Sequence, residues 1–418
     1  MSEFRKPSPL VSAAAAAVAL AVFVGSWIGI HHGWFERGQI VDTPVYEEYG
    51  DAMVRGKVPY RDFSVAYPPG ALPAFVLPAI GHEGDSDGYR RAFETLMVAC
   101  GVALLLELTL ALSSLGASTA RLSGALSLAA VSPLLLGSVV LTRFDLWSAA
   151  VTAAALAALL SNRLRLGHGL LGAGIVVKIW PGVLVPLAVA YAWRTRGRRE
   201  ALICLGLAVA VALAVALPFV VVAPHGVWRT FEQQATRPLQ VESLGAALIV
   251  ATHHVFGTGV TMVSSDGSQN VGGTAADIVG AVQNVLQVAV LLAIWIAFAR
   301  RERSREELVQ FSAAAVVAFI ALGKVLSPQF MIWLIPFVPL VRKWSAALLF
   351  VAALVLTQAW FPQHYWRYAL GFSSTQSWLV LARDLVLLGL LAVLVTTPSA
   401  ARAAAAVRAR LRASSSPA

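Results

Sequence analysis

Charge is what this sequence has least of. Only 13% of its 418 residues are Asp, Glu, Lys or Arg, about half the share of an average soluble domain. Apolar residues make up 58%, and mean hydropathy is +0.72. That balance excludes a water-soluble globule and also excludes a disordered or collagen-like chain. Cysteine is nearly absent: Cys100 and Cys204 both lie inside apolar runs, where they read as small core residues and not as a disulfide or a metal pair. There is no Walker loop, dinucleotide fingerprint, zinc motif or internal repeat, which argues against ATP and nicotinamide chemistry.

What is present is a succession of apolar runs. A crossing helix needs about 20 apolar residues, so the length suits about ten to twelve spans in one integral domain over 1–398, followed by a basic tail over 399–418. The first run, Leu10 to Ile30, follows Arg5 and Lys6 and is too long for a usual signal peptide; it reads as an uncleaved span with the N-terminus inside. Further spans are expected near 92–113, 123–141, 146–161, 200–223, 277–299, 308–323, 329–341, 344–360 and 379–396. The run 329–341 is short and, with Pro328, Pro336 and Pro339, should be broken or tilted. Gly169 to Trp193 has basic clusters on both sides yet is too short for two full spans, which predicts two half-spans meeting at Lys178-Ile179-Trp180-Pro181. Counting these, the expected fold is an all-α polytopic helical bundle of about twelve spans with both ends cytoplasmic.

The net charge of +10 is a topology signal. Bases cluster between apolar runs: Arg163 and Arg165; Arg194, Arg196, Arg198 and Arg199; Arg300, Arg301, Arg303 and Arg305; Arg342 and Lys343; and Arg402 to Arg412 in the tail. Such clusters mark cytoplasmic loops, and this placement argues against nucleic acid as a partner. The acids fall mostly in the intervening segments, among them Glu36, Asp42, Glu47, Glu48, Asp51 and Asp62. One external segment runs from His31 to about Arg91 and holds an apolar patch, Ala71 to Ile80, expected on or dipping into the interface. A second, from about Ala223 to Ala276, carries turn-rich GlyGly and SerSerAspGlySer sequences and should be an ordered loop. The Ala- and Arg-rich tail suits a helix on the anionic inner leaflet.

Ionisable residues in apolar surroundings are costly and point to function. Asp42 follows the first span closely; it can take a proton from an acceptor hydroxyl, or cap a helix starting at Pro44, and the two roles are compatible. Three isolated cations, Arg143, Lys178 and Lys324, are flanked by long apolar stretches and suit a phosphate by charge-assisted hydrogen bonds. Their structural alternatives are an Arg143–Asp145 pair, a snorkelling Lys178 and a Lys324 that reaches the interface. Tyr46, Asp62, Tyr67, Ser327, Gln329 and His364 are candidates for substrate contact; His364 lies in an aromatic segment that suits either sugar faces or an interfacial belt. Glu107 sits inside a span and calls for an interior polar partner, and His253-His254 lacks a third ligand. No metal site is expected.

The series VDTPVYEEYG, GKVPYRDFSVAYPPGALP, LLLGSVVLTRFDLWSAA, LLGAGIVVKIWPGVLVPL, LQVESLGAAL and GKVLSPQFMIWLIPFVPLV resembles the bacterial family 87 glycosyltransferases of the GT-C superfamily, in matching order from about residue 38 to 395. The resemblance implies transfer of a sugar, usually mannose, from a polyprenyl-phosphate donor to a lipid or glycan acceptor at the outer face of the bacterial cell membrane, with inversion and no cofactor. It places the family's proposed general base on Asp42, its tyrosine-diproline element on Tyr67-Pro68-Pro69, its lysine-proline element on Lys178 and Pro181, and its Ser-Pro element on Ser327-Pro328. The family's phosphatidylinositol mannoside enzyme has a histidine pair after the Ser-Pro element, where this chain has Gln329-Phe330-Met331. The competing class is a carrier or flippase of lipid-linked sugars, which would move donor intact; such proteins tend to show repeated halves.

Overall fold

Local signals in the sequence set where the helices begin and end. Ser8, Asp85, Ser118 and Ser243 each accept a backbone N–H of the turn they precede, and Ser304 and Glu307 form a reciprocal capping box with both bonds at 3.1 Å. The computed structural model describes residues 7–32, 40–301 and 304–396. Arg5, Lys6, Glu36, Arg303 and the basic tail with its expected surface helix lie outside the described residues.

In chain order the helices are α1 (Pro9–Gly29), α2 (Thr43–Val54), α3 (Leu72–Ala79), α4 (Ser86–Ser114), α5 (Thr119–Leu136), α6 (Asp145–Leu160), α7 (Leu164–Val177) and α8 (Val185–Arg196). They continue as α9 (Arg198–Val222), α10 (Pro224–Thr236), α11 (Leu244–Phe256), α12 (Thr274–Ala299), α13 (Arg305–Ala321), α14 (Trp344–Trp360), α15 (Tyr365–Ala369) and α16 (Ser374–Val395). The protein is an all-α polytopic membrane protein: α1, α4, α5, α9, α12 and α16 are long and apolar enough to cross a bilayer. Most of α9 faces outward, whereas α13 is buried along nearly its whole length, with Ala313, Ala314 and Ala315 letting neighbouring backbones come close.

Two stretches depart from regular α-helix. The interruption expected inside 169–193 is present: α7 stops at Val177, Lys178 is extended, and a 3₁₀ turn over Trp180–Leu184 leads into α8. The stretch expected as a broken span at 329–341 is two buried 3₁₀ segments, Pro328–Leu334 and Val338–Leu340. A 3₁₀ helix rises about 2.0 Å per residue against about 1.5 Å for an α-helix, so this short run reaches farther than its length in α-helix would.

Several boundaries differ from the sequence reading. The span expected over 123–141 is helix only from Thr119 to Leu136, because Gly137 adopts φ +83° and ends it. The span expected from 92 begins at Ser86; Asp85 caps it, and Arg90 bridges Asp87 at 3.4 Å and Glu94 at 3.5 Å, so polar residues extend the apolar helix by a turn and more. The patch 71–80 forms α3, whose Ala74, Phe75 and Ala79 are buried against α2 and α4, with Leu77 and Ile80 outward. The connection 223–276 is ordered, as expected, but it contains two helices that the turn signals did not show, α10 and the apolar α11. It also holds a small antiparallel sheet of order β1-β3-β2, with β1 (Leu239–Gln240), β2 (Thr261–Ser265) and β3 (Ser268–Gly272). Asp266 and Gly267, both at positive φ, close the β2–β3 hairpin as a two-residue turn.

The bundle has two unlike ends. At one, Arg121 reaches Glu306 and the Leu340 carbonyl, Arg305 reaches the Ser114 carbonyl, and Arg165 pairs with Glu200. Those contacts gather the basic inter-helix segments. The chain returns from α5, α7 and α13 to the opposite end, where a large cavity lies.

Candidate active site

The cavity measures about 980 Å³, and its walls come from segments far apart in the chain. Asp42 stands at the N-cap position of α2, and its carbonyl accepts Val45 N at 3.0 Å and Tyr46 N at 3.2 Å. Its carboxylate caps nothing: Pro44 offers no N–H, and the first free N–H is already taken by the backbone. The carboxylate turns instead to Arg143, 3.1 Å away as an ion pair, with the Tyr46 hydroxyl 3.4 Å from the same oxygen. Arg143 is buried and donates to the Thr142 carbonyl at 3.2 Å. The Arg143 Nε–H itself has no hydrogen-bond acceptor among the described residues, so the contact with Asp42 is electrostatic. Tyr46 stacks on Phe75 at 4.7 Å, with Phe93, Phe144 and Tyr67 around it. Burial raises its phenol well above the ordinary value and keeps it a neutral donor.

Beside that wall, the break after α7 delivers Lys178 to Asp145 in the first turn of α6, where the helix dipole favours a carboxylate. Lys178 Nζ lies 2.7 Å from Asp145 Oδ1, Trp333 Nε1 donates to the same oxygen at 2.5 Å, and Asp145 Oδ2 has no partner among the described residues. The ammonium sits 4.6 Å from the Phe144 ring centre and 5.2 Å from that of Trp333. Trp333 stacks on Trp180, whose indole donates to Ser148 at 2.8 Å. Gly70 is required here: a Cβ on it would lie 2.7 Å from the Val176 backbone, so only glycine lets the Tyr67-Pro68-Pro69 turn close on the end of α7.

The far wall joins α10, β1 and the exit of α13. Gln240 N donates to the Lys324 carbonyl at 2.9 Å, and the Gln240 amide reaches Ser327 Oγ at 3.0 Å and the carboxyl of Glu242. Arg383 and Asp384, both fully buried, pair at 2.7 Å, and Arg383 also donates to the Glu242 carbonyl at 2.7 Å. Tyr368 holds the Val241 carbonyl at 2.6 Å. Burial pushes the Glu242 carboxyl up to about 8, against the pull of Arg383 and Arg237.

Of the residues singled out in the sequence, Asp42, Tyr67, Arg143, Lys178, Lys324, Ser327 and Gln329 line this cavity. The Arg143–Asp145 pair weighed as the structural alternative does not form: side chains two apart do not face each other at a helix start, so Arg143 takes Asp42 and Asp145 takes Lys178. Tyr46 lies behind Asp42 and not on the lining. Asp62 is away from the cavity, held by Arg61 at 2.8 Å and by Val58 N at 2.7 Å, contacts that lower its carboxyl to about 2. His364 is off the lining, which takes its neighbours Phe361 and Tyr365 instead. Glu107 lacks the interior partner expected for it: its Oε2 is buried with no hydrogen-bond partner among the described residues. His253 bonds the Thr258 carbonyl and His254 bonds Ser377. Among the described residues no group of three or more His, Cys, Asp or Glu could hold a metal ion.

Sequence reasoning missed Arg237, Gln240, Glu242, Asn284 and Gln287, all on the lining. Asn284 and Gln287 could have been found as amides inside the long apolar run of α12. Glu242 stands in the LQVESLGAAL string but was not taken up as a site residue.

A many-helix membrane bundle with buried charge around one end cavity defines a polytopic membrane protein with a polar site. Glycosyltransferase family 87 matches residues 65–328, well over half of the chain, and the protein belongs to that family. It is thus a membrane glycosyltransferase. The matched span holds Arg143, Lys178, Arg237, Glu242 and Lys324, while Asp42 precedes it. No curated protein matches the sequence.

Proposed function

We propose that the protein moves a hexose, mannose, from a polyprenyl-phosphate donor to a lipid or glycan acceptor, with Asp42 as general base. The observation that carries this reading is the Asp42 carboxylate on the cavity wall: not spent on capping, oriented by Arg143, and facing a cavity rich in cations. The acceptor hydroxyl gives its proton to Asp42 as its oxygen attacks the anomeric carbon. The bond from that carbon to the phosphate oxygen breaks on the opposite face, its electron pair leaves with the phosphate, and the configuration inverts. Cations on the cavity wall supply the positive field for the departing phosphate. A phosphate leaves with its charge already well dispersed, so the step needs no metal. In this reading Tyr67, Ser327 and Gln329, which line the cavity, hydrogen-bond sugar hydroxyls.

The prenyl chain reaches the lipid beside Ile179 and Phe231, which line the cavity and are also 44% and 40% exposed. The basic segments at the opposite end favour cytoplasmic termini and a cavity on the outer face of the bacterial cell membrane. The test is purified protein in nanodiscs given labelled polyprenyl-phosphate mannose, the glucose counterpart, and a lipid and glycan extract of the source cell. Consumption of the mannose donor with an inverted product by NMR is expected. Donor recovered intact, or moved unchanged across the bilayer, would overturn the reading in favour of a carrier.

A further inference from the structure

Four cations line the cavity: Arg143, Lys178, Arg237 and Lys324. They fall into two kinds. Arg143 is ion-paired with Asp42 at 3.1 Å, and Lys178 with Asp145 at 2.7 Å. Arg237 and Lys324 have no carboxylate within ion-pairing distance among the described residues. The Arg237 Nε is buried and bonds nothing among the described residues, while the Lys324 ammonium donates to the Ala235 carbonyl at 3.1 Å. The two stand close enough to repel, and that repulsion, added to burial, lowers Lys324. Burial likewise lowers Arg237. Like charges set side by side and partly withdrawn from water are unfavourable unless an anion joins them.

We infer that Arg237 and Lys324 form the seat of the lipid-linked phosphate, and that Arg143 and Lys178 serve instead to orient the two carboxylates they pair with. This rests on the transferase reading above and deepens it. The charge balance favours it: a sugar-phosphate diester carries one negative charge, and the monoester left when the bond to the anomeric carbon breaks carries close to two at neutral pH. Two uncompensated cations match the leaving group better than the donor, so their attraction grows as the bond breaks, which is the condition for speeding the step. The seat is anchored from both sides, because the Lys324 carbonyl accepts Gln240 N, three residues after Arg237 in the chain. Glu242, Asp266 and Asp42 face Arg237 beyond ion-pairing distance, and burial raises the Glu242 carboxyl to about 8, so at neutral pH it keeps its proton and leaves Arg237 uncompensated.

The test is binding of a labelled polyprenyl monophosphate to the full chain in nanodiscs, against the matching polyprenol and against inorganic phosphate as competitor. Wild type is expected to prefer the phosphate over the alcohol. Arg237→Gln and Lys324→Gln should each weaken phosphate binding roughly 10- to 100-fold and leave polyprenol binding unchanged, with Arg237→Lys recovering most of the loss. The double variant Asp42→Asn/Arg143→Gln, which removes a paired charge from each side, should bind phosphate nearly as wild type does. Equal thermal unfolding midpoints check that each variant folds. Unchanged phosphate affinity in both single variants, or a loss in the Asp42/Arg143 double as large as theirs, would overturn the assignment and leave the transferase reading standing. No preference of the wild type for phosphate over alcohol would overturn both. Inorganic phosphate competing as strongly as the lipid would show a free-phosphate site and overturn the lipid assignment.

Discussion

Both ends of the bundle are rich in charge, and they treat it oppositely. At the basic end, pairs such as Arg165–Glu200 are open to water and formed between the first turns of α7 and α9. At the cavity end, Asp145 is 0% exposed, and its partner Lys178 arrives from another helix pair through a break in regular structure. The first arrangement costs little. The second is expensive and persists only where each charge has a partner or a ligand. The same residue types thus stand open to water at one end and in apolar surroundings at the other.

The largest expected departure between the two ends follows from breaking the buried pair. Asp145→Ala leaves Lys178 without a counter-charge and the Trp333 indole without an acceptor, and should destabilise the fold by about 3–5 kcal/mol. Thermal unfolding in detergent reads this, and Asp145→Asn/Lys178→Met should recover most of the loss; a single variant as stable as wild type would erase the contrast between the ends. A smaller effect is expected in pH dependence at Glu242. Its carboxyl is raised from 4.5 to about 8 by burial, so the folded chain keeps a proton that the unfolded chain has released. Its contribution to stability is therefore full below about 4.5 and is lost as pH rises to about 8. Glu242→Gln, which cannot ionise, should flatten that part of the unfolding midpoint against pH, and an unaltered profile would contradict the burial argument. The smallest effect belongs to the basic end: Arg165→Gln should leave the rate of sugar transfer unchanged in nanodiscs, and a large loss would show that the two ends are not separate in function.

Much of the fold was legible because membrane constraints are coarse. Basic residues on both sides of Gly169–Trp193 forced an even number of crossings, and the proline at 181 located the break that the structure shows. Helix α11 was hidden because its apolar run is too short to read as a span and sits among turn signals. The site was legible residue by residue but not in its pairings. Asp42, Arg143, Lys178 and Lys324 stood out as isolated charges, yet which charge meets which depends on tertiary geometry. Asp42 satisfies every local rule for a helix cap, and the structure turns its carboxylate to Arg143 because the backbone and Pro44 leave it no N–H to accept. Arg237 and Glu242 were missed because they lie in a connection whose fold the sequence does not reveal, while Asp62 was misplaced because its neighbour Arg61 claims it.

The central claim is that the Asp42 carboxylate takes the acceptor proton. Its most direct test compares wild type with Asp42→Asn in nanodiscs, measuring the initial rate of transfer from labelled polyprenyl-phosphate mannose at matched donor occupancy. The account predicts a fall of roughly 10²- to 10⁴-fold in rate with the unfolding midpoint and donor binding retained. Equal rates in the two proteins would remove Asp42 from the mechanism and contradict the account.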